Sequence, residues 1–217
     1  MNNNVMFSRI DGFLEQQQQS GNEFDSGYAA LQLIETIPAT RDAALEHIGK
    51  IFVNYASNYI RSGSTQNAAN DEVLFECRNT MQTLVQRSSR SWLITIFKWC
   101  KDLLMSLIPL YRSNLGLSHA SFTLSEHVTK WLQCPAANTL IDLLNTCLHI
   151  QEEDGGADEL ISQVISASAK SAPFSEWILL QIGLNFPQRV LKYVIENGIK
   201  TWNVENIELG NGSKHGM

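Results

Sequence analysis

Apolar residues recur at the helical period along almost the whole chain, and no sustained apolar-polar alternation lies between hairpin turns. That pattern restricts the fold to the all-α class. Its clearest instance runs from Pro38 to about Arg61. There Ala44, Leu45, Ile48, Ile51, Phe52, Tyr55, Tyr59 and Ile60 share one face, while Arg41, Glu46, Lys50 and Asn54 share the other. The result is an amphipathic helix of about six turns.

Breaker and capping residues divide the remainder. Asn4 to Gln18 reads as one short helix inside a polar, Gln/Asn-rich segment spanning 1–22. Phe24 to Ile37, striped with Tyr28, Leu31 and Ile34, must stop at Pro38, whose ring cannot continue a helix without loss. Ser62 to Asn70 has the composition of a solvated loop, with Asn70 placed to cap a helix that begins at Asp71 and runs to Gln86. Thr123-Leu-Ser-Glu126 matches a capping box for a helix reaching about Gln133, and Pro135 starts another through Leu140, Ile141, Leu143, Leu144 and Leu148. That helix ends in the acidic turn QEEDGGADE, and Leu160–Lys170 and Pro173–Ile182 follow. In QIGLNFPQRVLKYVIENG, Gly183 reads as the left-handed residue closing the helix near Ile182, and Pro187 as the first turn of the next. Gly198 then closes that helix in a Schellman ending, with Ile199 packing back on Val194.

Trp92 to Tyr111 differs from the other segments. Trp92, Leu93, Ile96, Phe97, Trp99, Cys100, Leu103, Leu104, Leu107 and Ile108 cover nearly its whole circumference, which predicts a central helix with Leu103 buried inside the fold. The run has about the length of a membrane span, but Lys98, Lys101 and Asp102 are expensive at mid-bilayer. In total, nine or ten helices with short connections predict a degenerate HEAT-like stack of antiparallel hairpins over 23–202, followed by a polar tail over 203–217. One irregular helical bundle is the alternative architecture.

Charge and cysteine usage exclude several function classes. With Lys+Arg 16 against Asp+Glu 22 and no basic run, the chain lacks the concentrated positive footprint that drives binding to nucleic acid or to an anionic membrane. The start, MNNNVMFSRIDGFLEQQQQ, has neither the cationic opening nor the apolar segment of a secretory signal. Cys77, Cys100, Cys134 and Cys147, at intervals of 23, 34 and 13 residues, do not fit zinc spacing and read as reduced core thiols of a nuclear or cytosolic protein. The triplet Asn211-Gly212-Ser213 then has no meaning as a sugar acceptor.

Motifs for phosphate, zinc or nucleophile chemistry are also missing: GxxxxGK[ST], GxGxxG, HExxH, GxSxG and CxxC do not occur. His47, His119, His127 and His149 are scattered over separate elements and receive no role. Glu152, Glu153 and Asp154 lack the alternation and closing Glu of a calcium loop and read as solvated turn acids. Trp92, Trp99, Trp131, Trp177 and Trp202 sit among Leu and Ile at helical spacing, so they read as core, with one or two available to anchor a partner. No catalytic, cofactor-binding or metal-ligating residue is assigned, no cofactor is expected, and no helical face is singled out for a partner.

Three segments, taken in order, resemble the N-terminal region of the fifth-subunit family of the metazoan Integrator complex. TIPATRDAALEHIGKIF supplies Ile37, Pro38, Arg41, Ala43, Leu45, His47 and Phe52. WLQCPAANTLIDLLNTCL supplies Trp131, Cys134, Thr139, Leu140, Asp142, Cys147 and Leu148. PFSEWILLQIGLNFPQRVLKYVIENGIK supplies Trp177, Ile182, Gly183, Phe186, Pro187 and Gly198. The Asn/Gln-rich start and the loop around Ser62 to Asn70 depart from the family pattern. The resemblance implies a non-catalytic helical-repeat scaffold in the nucleus and an N-terminal fragment of a longer chain, to which the polar ending ELGNGSKHGM is suited as a linker. Integrator cleaves nascent small nuclear RNAs near their 3′ ends and terminates promoter-proximal RNA polymerase II. Its nuclease and its recruited protein phosphatase 2A lie in other subunits, and the fifth is similar to a connector paired with the eighth. Other Integrator subunits are therefore the expected partners, without direct contact to nucleic acid or membrane; a helical RNA-binding module is the alternative.

Overall fold

The computed structural model describes residues 2–20, 23–62, 68–115, 129, 131–170 and 176–197. Every regular element among them is helical, in agreement with the all-α expectation, and nine helices can be followed. They are α1 (Asn2–Ser20), α2 (Glu23–Thr36), α3 (Arg41–Ser62), α4 (Ala68–Arg87), α5 (Ser89–Leu115), α6 (Pro135–Glu153), α7 (Ala157–Ala169), α8 (Glu176–Asn185) and α9 (187–197). A further piece of helix covers 131–133. The expected capping box at Thr123–Glu126, the expected ending at Gly198 and the tail from residue 203 lie outside the described residues.

Local chemistry sets the joints. Ile37 is extended, as a residue before proline tends to be, and Pro38 opens a 3-10 turn, Pro38–Thr40, that leads into α3. The buried Thr40 hydroxyl lies within hydrogen-bond reach of the carbonyls of Leu33 (3.0 Å) and Ile37 (2.7 Å), which also accept from the N–H groups of Ile37 and Thr40, so it ties the end of α2 to this turn. Ser88 alone separates α4 from α5, and its carbonyl accepts from the N–H groups of Ser91 and Trp92. Pro135 stands in the first turn of α6, as its missing N–H allows.

Local chemistry sets three boundaries in detail, the first two of them against expectation and the third where the helix was expected to end. First, α4 begins at Ala68, so Asn70 lies within it; two alanines extend the helix backward where a cap at Asn70 was expected. Second, Gly183 does not close a helix. α8 continues to Asn185 and turns at Phe186, whose N–H donates to Ile182 O at 2.8 Å, while α9 begins at 187 with Pro187 in its first turn. Third, the glycine ending occurs in the acidic turn. Gly155 has φ 79°, Gly156 N–H reaches Gln151 O and Gly155 N–H reaches Glu152 O, the paired hydrogen bonds of a Schellman closure.

The helices pack in two rows. α2 touches α4, α4 touches α6 and α6 touches α8; behind them α3 touches α5 and α5 touches α7, while α1 lies on α2 and α3. Close approach of α2 to α4 depends on Gly27, where an added Cβ would come 2.7 Å from Val73 Cγ1. Between α4 and α6, Arg78 Nη1 meets Asp142 Oδ2 at 3.0 Å and Gln82 Nε2 meets Thr146 Oγ1 at 3.2 Å. Both pairings step forward along both helices, so α4 and α6 are parallel.

α5 is central, with α3, α4, α6 and α7 against it, but it is not enclosed all round. Trp92, Leu93, Ile96, Phe97, Cys100, Leu104, Leu107 and Ile108 are buried, whereas Ile94, Lys98, Asp102, Ser106 and Pro109 form an exposed stripe. Leu103 is half-buried, beside Gly49, and is not the innermost residue. Steps of 100° per residue put every third or fourth position on one line, and those positions are the ones the apolar set leaves out.

Candidate interaction surface

The first segment with the family pattern binds α3 to its neighbours. Arg41 lays its guanidinium over the Trp92 ring, 3.7 Å from the centroid, a cation–π contact linking the starts of α3 and α5. Trp99 donates its indole N–H to Leu45 O at 2.9 Å and meets Phe52 edge-on, with centroids 5.5 Å apart. His47, buried, pairs with the buried Ser26 hydroxyl at 3.0 Å, so a side chain without an assigned role holds α2 to α3. At the far end of α3, Tyr55 donates to Asp71 of α4. Burial and then this carboxylate raise the phenol well above its ordinary range.

The second and third segments meet each other. Trp131 and Trp177 stack with centroids 4.9 Å apart and planes 13° from parallel, both buried, which joins the short helical piece 131–133, just before α6, to α8. His149 lies 4.6 Å from the Phe186 ring at the corner between α8 and α9. Arg189 of α9 donates Nε to Glu152 at 2.9 Å and Nη1 to Asp158, while Lys192 stands 3.9 Å from Asp158. Glu152 is therefore not a purely solvated turn acid: with Asp158 it fixes the last corner to the α6–α7 turn. A recess of about 420 Å³ opens here among Glu152, Asp158, Asn185, Phe186, Arg189 and Lys192. Its arginine already engages both carboxylates.

Sequence reasoning missed these cross-helix pairs. Asp142 did leave a signal: it interrupts the apolar run LIDLL in a helix without lysine or arginine, so its cation had to come from a neighbouring element. Burial raises the Asp142 carboxyl above its ordinary value, against the lowering effect of Arg78.

The cysteines are free and buried, as expected for core thiols. Desolvation pushes Cys147 up to about 12 and Cys77, Cys100 and Cys134 upward as well, which suppresses the nucleophilic thiolate. Trp92, Trp131 and Trp177 are core residues and Trp99 is half-buried; His119, His127 and Trp202 fall outside the described residues. Among the described residues, no three His, Cys, Asp or Glu side chains converge as a metal site, and no helix is long and apolar enough to cross a membrane. Surface charge is uneven: α2 and α6 contain no lysine or arginine, whereas α5 exposes Arg90 and Lys98.

These contacts define an all-α protein of paired helices in which the distinctive aromatic, Arg and His side chains hold helix to helix. The family model described as Integrator complex subunit 5 N-terminus matches residues 5–204, and the chain belongs to that family. It is similar to Integrator complex subunit 5 of Mus musculus, 22% identical over 206 residues that cover 86% of this chain and 20% of that protein. It is also similar to Integrator complex subunit 5 of Drosophila melanogaster, 24% identical over 193 residues that cover 79% of this chain and 18% of that protein. The chain thus spans about a fifth of the length of these curated relatives.

Proposed function

We infer that this chain forms the N-terminal part of a non-catalytic scaffold subunit of the Integrator complex, acting in the nucleus. The observation that carries the reading is the family match over 5–204, within which the pattern residues are used for packing between helices. In this role the chain contributes to small nuclear RNA 3′-end processing and promoter-proximal RNA polymerase II termination by connecting the phosphatase-holding branch to the rest of the complex. Its direct partners are other Integrator subunits, the eighth first among them; protein phosphatase 2A and the polymerase are reached through these. A degenerate HEAT-like repeat is the architecture we assign, supported by the two rows of helices and the parallel register of α4 and α6. Such an array presents a long surface suited to protein contacts.

Co-expression with the eighth subunit, and separately with the central scaffold subunits, tests the reading. Co-purification of at least one of them in a defined ratio is expected. Recovery of this chain alone from every pairing would remove the scaffold assignment.

A further inference from the structure

α2 and α4 lie side by side, and helical spacing puts Asp25, Tyr28 and Glu35 on one stripe of α2 and Glu72, Phe75 and Glu76 together on the outer side of α4. The two stripes meet where the Tyr28 hydroxyl donates to Glu72, with Glu76 also close enough to act on the phenol. Partial burial and then these carboxylates raise Tyr28 above its ordinary range. Phe75 is 58% exposed, the most open of the phenylalanine and tryptophan side chains described. Its helix buries the opposite side, with Val73, Leu74, Cys77 and Met81 in the core.

The charge of this face selects its occupant. Glu72 and Glu76 are like charges one turn apart, a pairing that costs a helix stability unless a cation stands between them. Among the described residues no lysine, arginine or histidine stands within ion-pair distance of Asp25, Glu35, Glu72 or Glu76. α2 contains no cation, and Arg78 of α4 is engaged by Asp142 of α6 at 3.0 Å. An open aromatic ring between uncompensated carboxylates fits a guanidinium, which lies flat on a ring face while its N–H fork reaches an acid. The same molecule already uses half of that arrangement internally, where Arg41 covers Trp92. Nucleic acid and an anionic membrane carry the wrong sign, and one phenylalanine among glutamates offers no continuous seam to an apolar helix. We propose that the α2–α4 face around Phe75 docks an arginine-rich segment of another protein, with a guanidinium over Phe75 and its neighbours on Glu72 and Glu76. Exposure and charge on this chain define the surface, so its test is separate from co-expression with the eighth subunit.

A labelled peptide of alternating arginine and glycine is the probe for the 217-residue protein, read by fluorescence anisotropy at low ionic strength. Saturable one-to-one binding is expected, weaker for the same peptide with lysine in place of arginine. Phe75→Ala should weaken it several-fold, and Glu72→Gln with Glu76→Gln should weaken it further. Urea unfolding of these variants should stay close to that of the parent, because the substituted side chains lie at the surface. Asp42→Asn with Glu46→Gln removes the same charge from exposed positions on α3 and should leave binding nearly unchanged. Lack of saturable binding overturns the proposal, as does binding indifferent to Phe75→Ala. An equal loss from the α3 pair also overturns it, since the attraction would then be to the net charge of -6 as a whole. Self-association without peptide that Glu72→Gln with Glu76→Gln abolishes overturns it in favour of a second copy, whose exposed Arg87 and Arg90 would be the occupant.

Discussion

Gly155 and Gly183 show how far a single residue type can be interpreted. Gly155 occupies the left-handed region at φ 79°, so Gly155→Ala should destabilise by about 1–2 kcal/mol, the ordinary cost of that conformation for a residue with a Cβ. Gly183 lies inside α8, where an added Cβ would sit 4.0 Å from Val190 Cγ1, an ordinary contact. Gly183→Ala should therefore stabilise by about 0.5–1 kcal/mol, the amount by which alanine exceeds glycine in a helix interior. Urea unfolding of both variants checks the pair, whose signs would be alike if each glycine closed a helix. The sequence contains both a Gly-Gly turn and a Gly-to-Pro corner, and glycine type alone does not say which of them has positive φ. The buried thiols were easier to read, because all four lie within apolar helical patterns. The unfolded chain ionises thiols near the ordinary value of 9.0, while the folded chain keeps them protonated well above it. Above about pH 9 the unfolded state binds fewer protons, so stability should fall as pH rises toward about 12. Unfolding midpoints measured across that range should decrease, and replacing Cys77 and Cys147 by alanine should flatten the decline.

At the scale of the element, α5 tests the difference between apolar composition and burial. Leu104 is fully buried, and Leu104→Ala should destabilise by about 2–5 kcal/mol, as comparable core truncations do. Leu103→Ala should cost less because that side chain is half-buried, and Ile94→Ala, on the open stripe, should fall within about 0.5 kcal/mol of the parent. Equal losses at Leu104 and Ile94 in chemical denaturation would contradict the orientation of α5. The apolar letters of this helix indicated a central element with several neighbours, which is what forms. Lys98, Asp102 and Ser106 trace the exposed line as the positions that the apolar set omits, but the isoleucine and proline on the same line look like core residues in a one-dimensional reading, and Leu103, which was expected inside, is half-buried. A second test concerns the joint between the helical piece 131–133 and α8. Trp131→Ala should lose about 3–5 kcal/mol, since it removes a large buried ring together with its stack on Trp177. The two tryptophans were both legible as core, but their contact was not: they lie 46 positions apart, and helical periodicity carries no information on pairing between elements.

For the whole molecule, the helical class and the approximate number of elements followed from periodicity, while the row order followed only from contacts such as Arg78 with Asp142. The candidate surface was less legible still, because an apolar side chain destined for a partner and one destined for the core leave the same trace; only exposure separates Phe75 from Leu74. The two-row packing has a kinetic consequence. Each pair of helices finds its contacts mainly in pairs close by in the chain, so little of the fold must wait for distant segments. On a ribosome, α2 and α3 can pair soon after emerging, and α4 and α5 then meet a surface that already exists. The molecule can therefore assemble in the order of its synthesis, with the unfinished end moving along the chain until α8 and α9 take their place.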